Sequence, residues 1–211
     1  MTKPRIWITN PPFDPSTIVV PSYVSTVKHL VKNGYDGTIN KGQAVYVIGS
    51  TGNDGTNMLI DRASNNIEMT SSKTMGLLET SLAKNGIGYV ITEGLLAGLN
   101  TNSANVGDPV WLGTNGNLIY GLVNKPVAPA HLVFIGIVTR KNQNNGEIFV
   151  KVQNGFEMEE LHNLVLTGKA TGDMIKWDGT KWVNFKGVSG TFTSADSKTI
   201  TVTDGIITNI A

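Results

Sequence analysis

The chain has 211 residues, 40% of them apolar and only 16% charged, with 17 Lys and Arg against 16 Asp and Glu for a net charge of +1. That balance excludes the clustered positive face that sequence-independent nucleic-acid binding needs. With no cysteine, neither a disulfide framework nor a thiolate metal site can form. The apolar runs are short and broken by Gly or Pro, so none reads as a membrane span, and Met-Thr-Lys-Pro-Arg does not lead into the apolar stretch of a signal peptide.

Residues 1–40 read as an extended N-terminal arm. Pro4, Pro11, Pro12, Pro15 and Pro21 withhold backbone donors and so do not supply a central strand. Ile6, Trp7, Ile8, Phe13, Ile18, Val19 and Val20 carry more apolar surface than a free solvated tail does. The arm is therefore expected to dock on another surface, with Ile6, Trp7, Ile8 and Phe13 as its candidate contacts.

Residues 41–155 read as a compact all-β module, a small barrel or sandwich. Runs rich in Val, Ile and aromatic residues occur at 44–48, 88–92, 109–112, 132–138 and 147–152. Asn-Gly and Asp-Gly pairs punctuate the chain, among them Asn33-Gly34, Asn85-Gly86, Asn115-Gly116 and Asn145-Gly146. Such pairs favour tight hairpins, because both central residues of a type I′ turn need positive φ. Helical periodicity is weak throughout, and the best helix candidates are Ser72–Thr80 and Glu157–Leu164.

Residues 156–211 follow with two predicted hairpins, one tipped by Asp178-Gly179 and one by Asp204-Gly205. Each is short, and a lone hairpin is marginal in water. They are expected to need partners, most simply copies of the same chain.

Residues that could carry chemistry are few. His29, His131 and His162 lie far apart and in no metal-ligand spacing. No glycine-rich loop opens a helix after a strand, and no Gly-x-Ser-x-Gly elbow is present. The Thr70-Ser71-Ser72-Lys73-Thr74 cluster reads as a helix cap rather than a Ser-Lys pair. Glu157, Glu159 and Glu160 suit the first turn of a helix. A glycosidase would need two carboxylates across a cleft, and a pair such as Glu93 with Asp108 is the most that can be named. The expectation is a non-enzymatic protein with no cofactor and no metal. Trp177 and Trp182 flank one predicted turn, where they serve as subunit-interface aromatics or, alternatively, as a stacking platform for a glycan.

Several stretches carry a family resemblance. They are Asn40–Val47, Ser71–Leu78, Gly86–Gly94, Gly107–Leu112, Phe134–Arg140 and Asn144–Gly155. Together they resemble a β module of tailed-bacteriophage virion proteins, found in fibre and collar-type appendages and, in looser form, in capsid decoration proteins. Gly172–Asn184 and Ile200–Asn209 resemble the short β repeats of phage fibres. The resemblance implies a virion structural protein, a trimeric fibre or appendage anchored by its arm to tail, collar or capsid proteins. Its alternatives are a cement or head-fibre protein on the outer shell and a module that binds host-surface glycans. None of these inserts in a membrane or binds nucleic acid.

Overall fold

The computed structural model describes residues 26–52, 57–155 and 157–211. The fold is all-β, built on a closed barrel of five strands. These are β1 (Val27–Asn33), β2 (Ala44–Ser50), β3 (Met58–Arg62), β4 (Thr74–Leu78) and β5 (Ile87–Leu99), hydrogen-bonded in the order β1-β3-β2-β4-β5. Antiparallel pairing of β1 with β5, from Val27 opposite Glu93 to Lys32 opposite Ile87, closes the ring. The β1–β3 pair is parallel. Of the two sequence alternatives, barrel or sandwich, the closed barrel is the one formed. Closure leaves these strands without a free edge inside the ring.

β5 runs on past the barrel. Its second half, Glu93–Leu99, pairs with β9 (Gly146–Asn154). The sheet then continues through β8 (Val133–Arg140), β6 (Pro109–Leu112) and β7 (Leu118–Tyr120). Two apolar cores result. Val31, Ile39, Val45, Ile60, Leu78, Leu82 and Val90 fill the barrel. A second core joins Ala44, Leu77 and Ile91 on the barrel's outer side to Leu96, Val110, Leu112, Val133, Ile135, Val138, Ile148 and Val150 of the extension. Adjacent residues such as Ala44 and Val45, Leu77 and Leu78, or Val90 and Ile91 therefore enter different cores, because successive strand residues point to opposite faces.

Three expectations need correction here. The predicted helix over Ser72–Thr80 is mostly strand β4, wedged between β2 and β5. Leu77 and Leu78 are each fully buried in a different core, a two-sided demand that a strand meets and an amphipathic helix does not. The only α-helical turn near it is α1 (Glu68–Ser71). The Ser-Thr cluster does not cap its start, since the Ser71 and Ser72 hydroxyls donate back to the Glu68 carbonyl and close its end.

The helix expected over Glu157–Leu164 shrinks to a 3₁₀ turn, Met158–Glu160, framed by a reciprocal capping box between Glu157 and Glu160. Leu164 is drawn instead into strand β10 (Leu164–Val165) beside Trp182.

The boundary at residue 40 also moves. β1 and Ile39 belong to the barrel, so the β module begins at Val27 at the latest. Val31 and Asn33 are completely buried there. The proposed docking contacts Ile6, Trp7, Ile8 and Phe13 lie outside the described residues.

Past β10 come two three-stranded sheets. One has the order β10-β12-β11, with β11 (Asp173–Trp177) and β12 (Trp182–Lys186). The other has the order β13-β14-β15, with β13 (Gly190–Thr193), β14 (Thr199–Thr203) and β15 (Ile206–Ile210). Both predicted C-terminal hairpins are present.

Candidate assembly surface

The β11–β12 hairpin is set by its turn. Asp178 accepts from the Thr180 and Lys181 amides at 2.8 and 2.9 Å and from the Thr180 hydroxyl at 2.9 Å. These bonds hold the Asp178 carboxyl below the usual carboxylate range. The loop spans four residues rather than the two of a type I′ turn, because Trp177 pairs with Trp182 directly across it. The two rings meet edge to face, centroids 5.7 Å apart at 65°. They remain 50% and 44% exposed, so the pair is half finished as a packing unit. On the same face, Asn184 donates to Asp173 at 2.7 Å, and Ala170 N–H donates to it at 3.0 Å. Those two bonds, the Asn184 one first, lower the Asp173 carboxyl from its ordinary value.

The second sheet turns at Asp204-Gly205, with φ of 50° and 83°. Thr203 lies opposite Ile206, so this is the two-residue turn that the sequence predicts. The turn is tied to the linker from the first sheet. Gly205 N–H donates to the Val188 carbonyl at 3.0 Å, and Asp204 N–H donates to the Ser189 hydroxyl at 2.9 Å.

The register places Phe192 beside Ile200 and Ile200 beside Ile210, with Val202 between Gly190 and Ile207. One face is thus Phe192, Ile200, Val202, Ile207 and Ile210. The other carries Thr191, Thr201 and Asn209 in one row, Thr193 with Thr199 in another, and Thr203 beside the exposed Ile206 at the turn. Phe192, Ile207 and Ile210 are more than half exposed. The alternation in Thr199-Ile200-Thr201-Val202-Thr203 is visible in the sequence and marks this face, a signal that reading the segment only as a hairpin leaves unused.

From Val165 to Ala211 no residue is buried. The last buried side chain of the chain is Leu164, at 7% exposure. The two sheets thus hold no fully buried side chain past Leu164: Met174, Val183, Phe185, Ile200 and Val202 are half-buried, and Trp177, Trp182, Phe192, Ile207 and Ile210 stay exposed.

The other candidate groups are scattered. His29 and His162 are exposed. His131 Nδ1 lies 2.8 Å from Glu157 Oε1 and 3.0 Å from Glu68 Oε2. Neither approach is a well-aligned hydrogen bond, so the contact is electrostatic and acts when the ring is protonated. Glu93 sits exposed on β5 opposite Lys151, while Asp108 accepts from the Asn105 amide and shapes the turn before β6. Glu157 and Glu160 serve the capping box. Among the described residues, no cluster of three His, Asp or Glu has metal-holding geometry. A depression of about 420 Å³ runs past Lys41, Gln43, Asn100, Asn117 and Tyr120 and has no carboxylate or imidazole in its wall. Burial pushes the Tyr120 hydroxyl above its ordinary range. Trp111, the remaining described tryptophan, is used in packing. It donates from Nε1 to the Gly121 carbonyl at 3.1 Å and meets Phe134 edge-on.

Comparison with protein-family models, with curated proteins and with solved structures finds no match for this chain.

Proposed function

We propose that this chain is a non-enzymatic structural protein of a bacteriophage virion, a fibre or appendage component that works as a homotrimer anchored by its N-terminal arm. One observation carries the assembly part of this reading. Residues 165–211 hold the five strands β11–β15, and none of their side chains is fully buried within their own chain. Sheets of this size need a covered apolar face to be stable, and a chain that always makes them must bring the cover with it. The closed barrel and its sheet extension, by contrast, bury two apolar cores within the chain. The virion part rests on the resemblance of the β module and of the C-terminal repeats to phage fibre proteins.

Trp177 and Trp182 meet edge to face and stay about half exposed, and the enrichment of aromatic residues at subunit interfaces supports the interface role.

The test is quantitative mass spectrometry of purified phage particles that carry the gene. A few dozen copies per particle support an appendage. Hundreds of copies move the protein to capsid decoration, and absence from the particle overturns the virion reading.

A further inference from the structure

We propose that the apolar face of the β13–β14–β15 sheet is the joint between copies of this chain, each copy seating Phe192, Ile200, Val202, Ile207 and Ile210 against the same residues of its neighbours. The inference rests on the self-assembly reading above and names the surface that performs it.

The face has a single chemical character. Every side chain on it is apolar, and the threonines and Asn209 sit on the opposite side. Charged groups lie only around it and are already matched within the chain. Lys198 pairs with Asp196 at 3.3 Å, and Lys186 approaches Asp204 at 3.9 Å. A charged partner would find nothing to recognise, whereas neutral apolar faces of several copies can meet around a common axis of a closed cyclic assembly.

Size argues the same way. Three strands about 4.8 Å apart, one of four residues and two of five, present a face of at most about 14 by 17 Å, roughly 240 Å². A stable independent pair buries about 800 Å² on each side, so this face is one part of a joint to which other surfaces of the chain contribute. Copies of one chain add to it the neighbouring apolar surface of Val188, 84% exposed, and of the Trp177–Trp182 pair. The opposite face is mostly hydroxyl and amide, with Ile206 beside Thr203 its one apolar side chain near the turn. Thr203 and Thr208 hydroxyls lie 3.1 Å apart, and the Thr208 hydroxyl also reaches the Thr201 carbonyl.

The absence of cysteine makes the test clean. Single cysteines are introduced into the full chain by Phe192→Cys or Ile207→Cys on the apolar face, and by Thr191→Cys or Asn209→Cys on the polar face. Mild oxidation or a short bis-maleimide should then give covalent dimers from the first two and none from the second two. In parallel, Ile207→Asp with Ile210→Asp should reduce the particle to the mass of one chain, while Thr201→Asp leaves the oligomer whole. Cross-linking only from the polar face overturns the proposal, as does an oligomer that persists in the double aspartate variant. Capture of a different virion protein at Phe192→Cys, in place of a second copy, overturns it as well. In the first two outcomes self-assembly survives and only the location fails, whereas capture of another protein gives the face to a different partner. A wild-type chain that is monomeric overturns both.

Discussion

Asn33 shows how much one side chain can hold. It is fully buried at the end of β1, and each of its polar atoms is used. Nδ2 donates to the Gly37 and Leu82 carbonyls at 2.8 and 2.9 Å, and Oδ1 accepts from the Tyr35 amide at 2.8 Å. Asn33→Ala leaves buried backbone groups without partners and should cost about 2–3 kcal/mol, read as a lower urea midpoint with an unchanged slope. From the sequence, Asn33-Gly34 looks like the tip of a type I′ hairpin, yet neither residue has positive φ. The side chain instead closes a longer turn from within. Gly136 sets a second limit. A Cβ there would collide with the Phe149 carbonyl across the β8–β9 pair, where the ladder shifts register. Gly136→Ala should therefore cost about 3 kcal/mol or more, seen as a large fall in Tm or loss of soluble protein. The abundance of Asn and Gly thus has two sources, tight turns and close approaches inside the sheet. Composition alone does not separate them.

At the scale of elements, the C-terminal hairpins owe their turns to carboxylates. Asp178 is lowered by the Thr180 and Lys181 amides, Asp173 by Asn184, and Asp196 by the Ser194 hydroxyl. A group whose folded value is depressed contributes stability above its unfolded value and loses it as pH falls through the folded one. The hairpins should therefore hold above about pH 4 and loosen only below the ordinary carboxylate range. Titration of the Thr180 and Lys181 amide resonances checks this, and Asp178→Ala should abolish their transition. Amides that respond near neutral pH instead would contradict the assignment.

The strands legible in the sequence are those with long β-branched or aromatic runs bounded by turn residues, namely β2, the first half of β5, β6, β8 and β9. β4 was hidden because its adjacent leucines serve two cores and so break the alternation of a half-buried strand. β1 was hidden because the prolines before it pull the whole segment towards an extended reading, while Lys28, His29 and Lys32 dilute its apolar pattern. Of the candidate surface, Trp177 and Trp182 were legible from the turn between them. The apolar face of the last sheet depends on register, which the turn at Asp204-Gly205 fixes only once its length is known.

For the whole molecule, the contrast is between a base with buried cores and an end without one. The barrel and its extension bury two apolar cores, while residues 165–211 hold no fully buried side chain. An association driven by apolar burial should also persist in molar salt, where exposed ion pairs are screened. Dissociation on adding salt would point to charged contacts in its place. The central claim is that this chain completes its fold by joining copies of itself, and its mass in solution tests that most directly. Sedimentation equilibrium of the full-length protein should give three times the 22.6 kDa of one chain. A single 22.6 kDa species at every concentration would contradict the account.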